Sequence, residues 1–199
     1  PTQRVAKSLN SSFQTVQHLV PILSLDNSYN GDDLKDFDRK VKQLSGKNSI
    51  QYCVEPKFDG SSISIIYEND LLTRGATRGD GLEGDDITTN IRQIGTLPLS
   101  AKFSQYGIQQ IEIRGEVLIN KNNFKRYNDY LITQGHAPLA NPRNAAAGTL
   151  RVKDSTEVKK RKLEAFVYHI SHISLMDHAT LPNVLTSHSN SLQLLWDLG

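Results

Sequence analysis

A lysine held between two acids at alternate positions, Glu55-Pro56-Lys57-Phe58-Asp59 with Gly60-Ser61 behind it, is the arrangement in this chain that most needs a chemical use. Two carboxylates beside one ammonium are costly to hold in place unless something exploits them. An extended backbone sends every second side chain to the same face, so Glu55, Lys57 and Asp59 would project together and Pro56 and Phe58 away. Pro56 has no amide hydrogen for a ladder, which puts Lys57 at a strand end or on an edge, where a ligand can reach it. We take this stretch as the reaction centre.

Arg78 is brought towards it by local folding alone. Ile63, Ile65 and Tyr67 alternate as a strand, Glu68-Asn69-Asp70 turns, and Leu71 to Arg78 returns. A hairpin centred on Asn69-Asp70 pairs positions whose numbers add to about 139, give or take a residue or two at each boundary, so Arg78 comes back beside Ser61 and Asp80 beside Asp59. Thr77-Arg78-Gly79-Asp80-Gly81-Leu82-Glu83-Gly84-Asp85-Asp86 is rich in glycine, which would let backbone approach a ligand closely. It is not a Walker-type phosphate loop: no Gly-Lys-Ser/Thr follows, and its acids would repel phosphate. Further on, Ile111, Ile113, Val117 and Ile119 share one strand face, while Glu112, Arg114 and Glu116 form a polar row facing solvent or a cleft. Asn141-Pro142-Arg143 starts a helix, with Asn as cap and Pro in the first turn, running through Ala145-Ala146-Ala147 to Leu150-Arg151. Arg143 and Arg151 lie about two turns apart on it, close enough in angle to share a side. That helix could dock by its alanines, or its arginines could face a phosphate backbone.

The remaining elements position these. Phe13, Val16, Leu19 and Val20 have helical spacing up to Pro21, and Ile22 to Asn27 is a short apolar segment closing in turn formers. Asp32 or Asp33 caps an amphipathic helix with one buried stripe, Leu34, Phe37, Val41 and Leu44, ended by Gly46. Ile50, Tyr52 and Val54 alternate as a half-buried strand leading into Lys57. Asp85 or Asp86 caps a short helix through Asn90, Ile91 and Ile94. Asn122 caps another with Phe124, Tyr127 and Leu131, closed by Gly135. Lys159-Lys160-Arg161-Lys162 reads as a solvated basic turn with a second use as a DNA-phosphate contact, Leu163 to Ile170 as a buried strand, and Leu192, Leu195, Trp196 and Leu198 as a last helix with Trp196 in the core and Gly199 as cap.

Composition bounds the class. At 199 residues and 37% hydrophobic content the chain buries a real core, and 23 basic against 21 acidic residues leave a formal charge of +2, too small to announce a nucleic-acid partner. Cys53 is the one cysteine, which excludes a disulfide framework and a Cys-rich zinc site; it reads as core packing in a reducing compartment. The six histidines show no metal-ligand spacing, and no apolar run reaches membrane-spanning length. With no repeats and no clear linker, the simplest architecture is one mixed domain dominated by antiparallel hairpins.

Glu55-Pro56-Lys57-Phe58-Asp59-Gly60 resembles the nucleotidyltransferase signature shared by DNA ligases, RNA ligases and capping enzymes. Lys-x-Asp-Gly alone is a modest signal. Ser24-Leu25-Asp26-Asn27, Ala76-Thr77-Arg78-Gly79-Asp80-Gly81, Arg114-Gly115-Glu116 and Asn141-Pro142-Arg143-Asn144-Ala145-Ala146-Ala147-Gly148 accompany it. In this order, across nearly the whole chain, the set resembles the adenylation domain of the NAD-dependent bacterial DNA ligases. The resemblance implies an α+β fold of antiparallel sheets with flanking helices. It makes Lys57 the nucleophile that takes AMP from NAD+ and releases nicotinamide mononucleotide, with Asp59 orienting or metal-linking it. Glu55 goes to the adenine amino group, Arg78 and Glu116 to the ribose region, and Ser24 and Leu25 to the purine site, while Arg143 and Arg151 stand as DNA-phosphate candidates on their helix alone. It further implies Mg2+ or Mn2+ with no ligands assigned, nicked double-stranded DNA as partner in replication and repair, a monomer, and a bacterial cytoplasmic, nucleoid-associated location.

Family members carry an upstream nicotinamide-binding domain and, downstream, a lysine-containing strand region, an OB-fold, a zinc module, helix-hairpin-helix repeats and a BRCT domain. None of these is read in residues 1–199, so the expectation is a truncated adenylation domain, cut from something longer, that does not seal nicks alone and self-adenylates poorly. Taken singly, Lys57 as a solvated lysine, Arg78 as a hairpin surface residue and Glu116 as a cross-strand partner of Arg114 are the plain alternatives. At the level of function the alternatives are an ATP-using ligase or capping-type enzyme, and a nucleotide- or DNA-binding module without turnover.

Overall fold

The computed structural model describes residues 13–199, so the expected irregular stretch from Pro1 to Asn10 lies outside them. The chain divides into two compact units, one made of the residues up to Ile22 with Phe58–Gly199, the other of Leu23–Lys57.

The larger unit is built on a four-stranded antiparallel sheet, in which β2 (Ser61–Glu68), β3 (Leu71–Thr77), β5 (Ile108–Leu118) and β6 (Glu164–Leu175) lie in the order β3-β2-β5-β6. Asn69 and Asp70 both take positive φ, 49° and 68°, the turn whose twist suits a two-residue hairpin. Glu68 faces Leu71 as expected, but an irregularity between Ile66 and Tyr67 moves the rest of the ladder by one residue. Arg78 therefore returns beside Ser62, to whose carbonyl its amide donates at 3.2 Å. One sheet face carries Ile63, Ile65, Tyr67, Ile111, Ile113 and Val117 into the core, against Ile87, Ile91, Phe103, Ala146 and Leu150. This agrees with the apolar row read from Ile111 to Ile119, and the architecture is the expected α+β.

Helices α2 (Thr88–Ile91), α3 (Lys121–Thr133), α4 (Pro142–Leu150), α5 (Ser155–Arg161) and α6 (His188–Asp197) belong to this unit. Asp86 accepts from the Thr88 amide at 2.9 Å at the start of α2. Asn120, not Asn122, caps α3. Asn141 caps α4 through the Asn144 amide, 2.8 Å, as its sequence predicts. Trp196 is 82% exposed, since Leu194 and Leu195 take the buried side of α6. The basic run ends α5: Lys160 bonds Glu157, while the Arg161 guanidinium sits 4.6 Å from the Tyr127 ring centre and donates to Thr149, so it is no solvated turn residue.

The helix expected around Phe13 to Val20 is instead the strand β1 (Thr15–Gln17), antiparallel to β4 (Glu83–Asp85). β-branched Thr15 and Val16 favour a strand there, and β4 supplies the ladder, with Val16 facing Gly84. In the Leu23–Lys57 unit, α1 (Gly31–Ser45) is capped by Asn30, which accepts from the Asp32 and Asp33 amides at 2.9 Å each, and closed by Gly46 at φ 66°. None of its residues is buried, which corrects the expected buried stripe. Ile50 to Val54 forms no strand: Pro56 and a lack of any ladder partner among the described residues leave it irregular, with Val54 and Cys53 exposed. Cys53 is therefore not a core residue.

Candidate active site

The face of the sheet opposite the core is assembled by register. Ser62 of β2 faces Glu116 of β5, which faces Phe166 of β6; one rank further, Ser64 faces Arg114, which faces His169. Arg78 adjoins Ser62 from the β3 side. The hairpin, the polar row and the last strand thus contribute to a single surface.

Gly60, just ahead of β2, explains one letter of the lysine motif. A Cβ there would lie 2.1 Å from the Val117 carbonyl oxygen, so only glycine lets the motif run this close to β5. Its amide donates to Glu116 Oε1 at 2.9 Å. Glu116, which the resemblance assigns to a ribose, thereby fixes the chain path at Gly60. Phe58 stacks on Phe166 with ring centres 4.3 Å apart and planes at 24°, anchoring the residue that follows the lysine. Asp59 pairs with Arg143 at 3.2 Å across a well-exposed contact, which joins the motif to the first turn of α4.

The polar row is not solvated. Glu112 has no exposed surface and Arg114 only 4%, which corrects the expectation of a row facing solvent or a cleft for these two. Glu112 accepts from Ser64 Oγ at 2.6 Å, Ser171 Oγ at 3.0 Å and Arg114 Nη2 at 3.1 Å. Arg114 also donates to the Val20 carbonyl. Burial pulls the Arg114 pKa below its ordinary value, and Glu112 and Tyr168 oppose that shift. Arg114 therefore pairs with Glu112, not with Glu116.

The glycine-rich stretch folds on itself. A Cβ on Gly79 (φ 57°) would meet the Glu83 carbonyl at 1.8 Å, and one on Gly84 the Thr77 carbonyl at 1.8 Å. These glycines admit neighbouring backbone, not a ligand as expected. His18 Nε2 donates to the Arg78 carbonyl at 3.0 Å, and the amides of Glu83 and Leu82 on its carboxylate hold Asp80 below the ordinary range. Arg151 caps the end of α4 and donates through Nε to Asp85 at 2.8 Å. The two arginines of α4 thus reach different acids, Arg143 to Asp59 and Arg151 to Asp85.

Asp59, Arg78, Glu116, Arg143 and Arg151 belong to the larger unit. Ser24, Leu25, Glu55 and Lys57 belong to the Leu23–Lys57 unit, where Leu25 is 81% exposed, and the division falls between Lys57 and Phe58. Sequence reasoning missed Ser62, Phe166 and Tyr168, whose hydroxyl lies 3.4 Å from Ser62 Oγ. Leu163 to Ile170 reads in the sequence as a buried strand, but no residue of β6 is fully buried, and its neighbour β5 is remote in sequence.

Residues 10–199 match the NAD-dependent DNA ligase adenylation domain, and the chain belongs to this family. Among its relatives are the DNA ligases of Persephonella marina, 58% identical over the whole chain, and Aquifex aeolicus, 52% identical over the whole chain. The DNA ligase of Thermotoga maritima is 44% identical over 86% of the chain. The chain spans about 28% of the Persephonella marina protein, 27% of the Aquifex aeolicus protein and 24% of the Thermotoga maritima protein. Among the described residues no helix is long and apolar enough to cross a membrane.

Proposed function

We propose that this chain is the self-adenylating part of a ligase that seals nicked DNA, with Lys57 as the nucleophile. The Lys57 amine, once neutral, places its lone pair on the adenylyl phosphorus of NAD+; the bond to the nicotinamide mononucleotide oxygen breaks, and the amine proton leaves to solvent. The resulting phosphoramide donates AMP to the 5′-phosphate of a nick, and the 3′-hydroxyl then displaces AMP. A cation such as Arg78 would offset the charge gathering on the phosphate during attack. Glu55 holds the adenine amino group, Arg78 and Glu116 the ribose region, Ser24 and Leu25 the purine, and Arg143 and Arg151 DNA phosphate. The upstream and downstream modules of the family complete the cycle.

The single observation that carries this reading is the bond from Gly60 to Glu116: it ties the glycine that closes the motif to the Arg114-Gly115-Glu116 segment. Family membership over residues 10–199 supports NAD+ as the AMP donor. A divalent cation needs several oxygen donors. Asp59 is engaged by Arg143 and a Glu116 oxygen by Gly60, so these carboxylates do not compose a cage for one.

Mass spectrometry after incubating a full-length ligase carrying this domain with NAD+, ATP or GTP tests the reading. An adenylyl adduct on Lys57 from NAD+ alone is expected, with loss of nick sealing in Lys57→Ala. An adduct formed from ATP or GTP instead, or sealing by Lys57→Ala, would overturn it.

A further inference from the structure

Arg151 sits at the C-terminal end of α4, where backbone order usually fades, yet a residue from another element grips the chain on both sides of it. Asn90, 2% exposed, donates from its single carboxamide nitrogen to the Leu150 carbonyl at 2.8 Å and to the Val152 carbonyl at 2.9 Å. The last carbonyls of a helix have no partner within it, and here those flanking Arg151 are satisfied by Asn90. Asn90 is itself well fixed. Its amide donates to Ile87 at 2.9 Å, Ile87 and Ile91 are fully buried, and the Ile91 side chain lies where a Cβ on Gly75 would be, 2.6 Å away, which presses α2 onto β3. The side chain of Arg151 is oriented separately, by Asp85, whose amide donates to Thr77 Oγ1 at 2.9 Å beside Arg78.

We propose that Asn90 is a positioning residue for Arg151: it transmits the rigidity of the core through α2 to the backbone of residue 151, so that the guanidinium meets nucleic-acid phosphate already in place. The proposal rests on the assignment of Arg151 to phosphate made above. Three features favour it over a purely structural role. Asn90 donates both its amide hydrogens to carbonyls adjoining one exposed cation, not to partners spread through the core. The neighbouring Thr149 and Leu150 are wholly buried, so the helix end is packed right up to the exposed residue 151. Arg151 is exposed to the extent of 53% at its side chain, so packing does not hold it.

The test is a double-mutant cycle in a full-length ligase carrying this domain, using Asn90→Ala, Arg151→Ala and the pair. Each protein is first adenylated and its adenylated fraction counted, so that misfolded molecules do not enter the rate. Single-turnover sealing of a nicked duplex is then measured across DNA concentrations. Misplacing a contact group by about 1 Å can cost up to roughly a hundredfold in rate. Asn90→Ala is expected to slow sealing about tenfold while leaving the rate of adenylation by NAD+ within about twofold, and to have no further effect once Arg151 is alanine. If Asn90→Ala yields no folded protein, Asn90→Ser, which keeps one donor, is expected to show a smaller slowing with the same dependence on Arg151. Equal slowing in the presence and absence of the arginine, or no slowing at all, would overturn the positioning role. If Arg151→Ala alone seals at the unaltered rate, the phosphate assignment falls and this proposal with it, a result separable from the former by that one protein.

Discussion

A polar group deep in the sheet is tolerable only when its bonds are complete, and Tyr67 shows what that implies for pH. It lies in the core cluster with its ring edge-on to Phe103, centres 5.3 Å apart, and its hydroxyl donates to the Pro98 carbonyl at 2.6 Å. Burial raises its pKa above the ordinary 10.0. The folded chain therefore holds the phenolic proton more tightly than the unfolded chain does. Above about pH 10 the unfolded state binds fewer protons, so stability present below that pH is lost as pH rises. Tyr67→Phe should cost about 1–2 kcal/mol at neutral pH by stranding the Pro98 carbonyl. It should also flatten the decline between about pH 10 and 11, because the group responsible is gone. Urea unfolding of both proteins at the two pH values decides it; parallel declines would mean that Tyr67 does not carry the alkaline loss. The same demand for complete bonding governs Glu112, whose partners Ser64, Ser171 and Arg114 come from three strands. Breaking such a pair from one side typically leaves an uncompensated buried charge, so its value here is in holding β2, β5 and β6 in one register.

At the scale of elements, local chemistry was readable and partnership was not. Asn69-Asp70 dictated the hairpin, and Asn141-Pro142 the start of α4, because turn and cap geometries depend on residues only a few positions apart. The return of Arg78 beside Ser62 followed from that, to within the one residue taken by the irregularity at Ile66. The burial of Glu112 and Arg114 was not readable, since it depends on β6, Val20 and Ser171, all remote in sequence. Nor was β1, where spacing at Phe13, Val16 and Val20 fitted a helix until Gly84 proved to be its partner. The glycines of the Thr77–Asp86 stretch were noticed for the right property and given the wrong neighbour. Gly84→Ala tests the neighbour now identified: its Cβ would stand 1.8 Å from the Thr77 carbonyl, so β4 must move off β3. A loss of about 1–3 kcal/mol is expected from such overpacking, together with loss of protection at the Asp85 amide that bonds Thr77 Oγ1. Unchanged melting and unchanged exchange would show that the loop relaxes without cost.

Across the whole chain the two units differ in how their stability is made. The larger one has a continuous core in which Ile63, Ile108, Ile111 and Val117 are wholly buried on adjoining strands, so their amides should open only with global unfolding. In Leu23–Lys57 no residue is buried, and α1 rests on its Asn30 cap, its Gly46 terminus and exposed ion pairs such as Lys40–Asp36 and Lys42–Asp38. Pairs of that kind contribute at most a few tenths of a kcal/mol each, and a helix of 15 residues is marginal on its own. Hydrogen exchange should therefore show α1 amides opening far more readily than those of β2 and β5, with the difference widening at about 1 M salt as the ion pairs are screened. NAD+ tests what the unit is for. Under the proposed function, Ser24, Leu25, Glu55 and Lys57 all engage the adenylyl group, so adenylated protein should exchange more slowly across Leu23–Lys57 by a factor that β2 and β5 do not share. Equal protection of α1 and the central strands before adenylation would refute the account of its stability. Adenylation without any slowing in Leu23–Lys57 would instead remove Ser24 and Leu25 from the nucleotide site, leaving Lys57 as that unit's contribution to the chemistry.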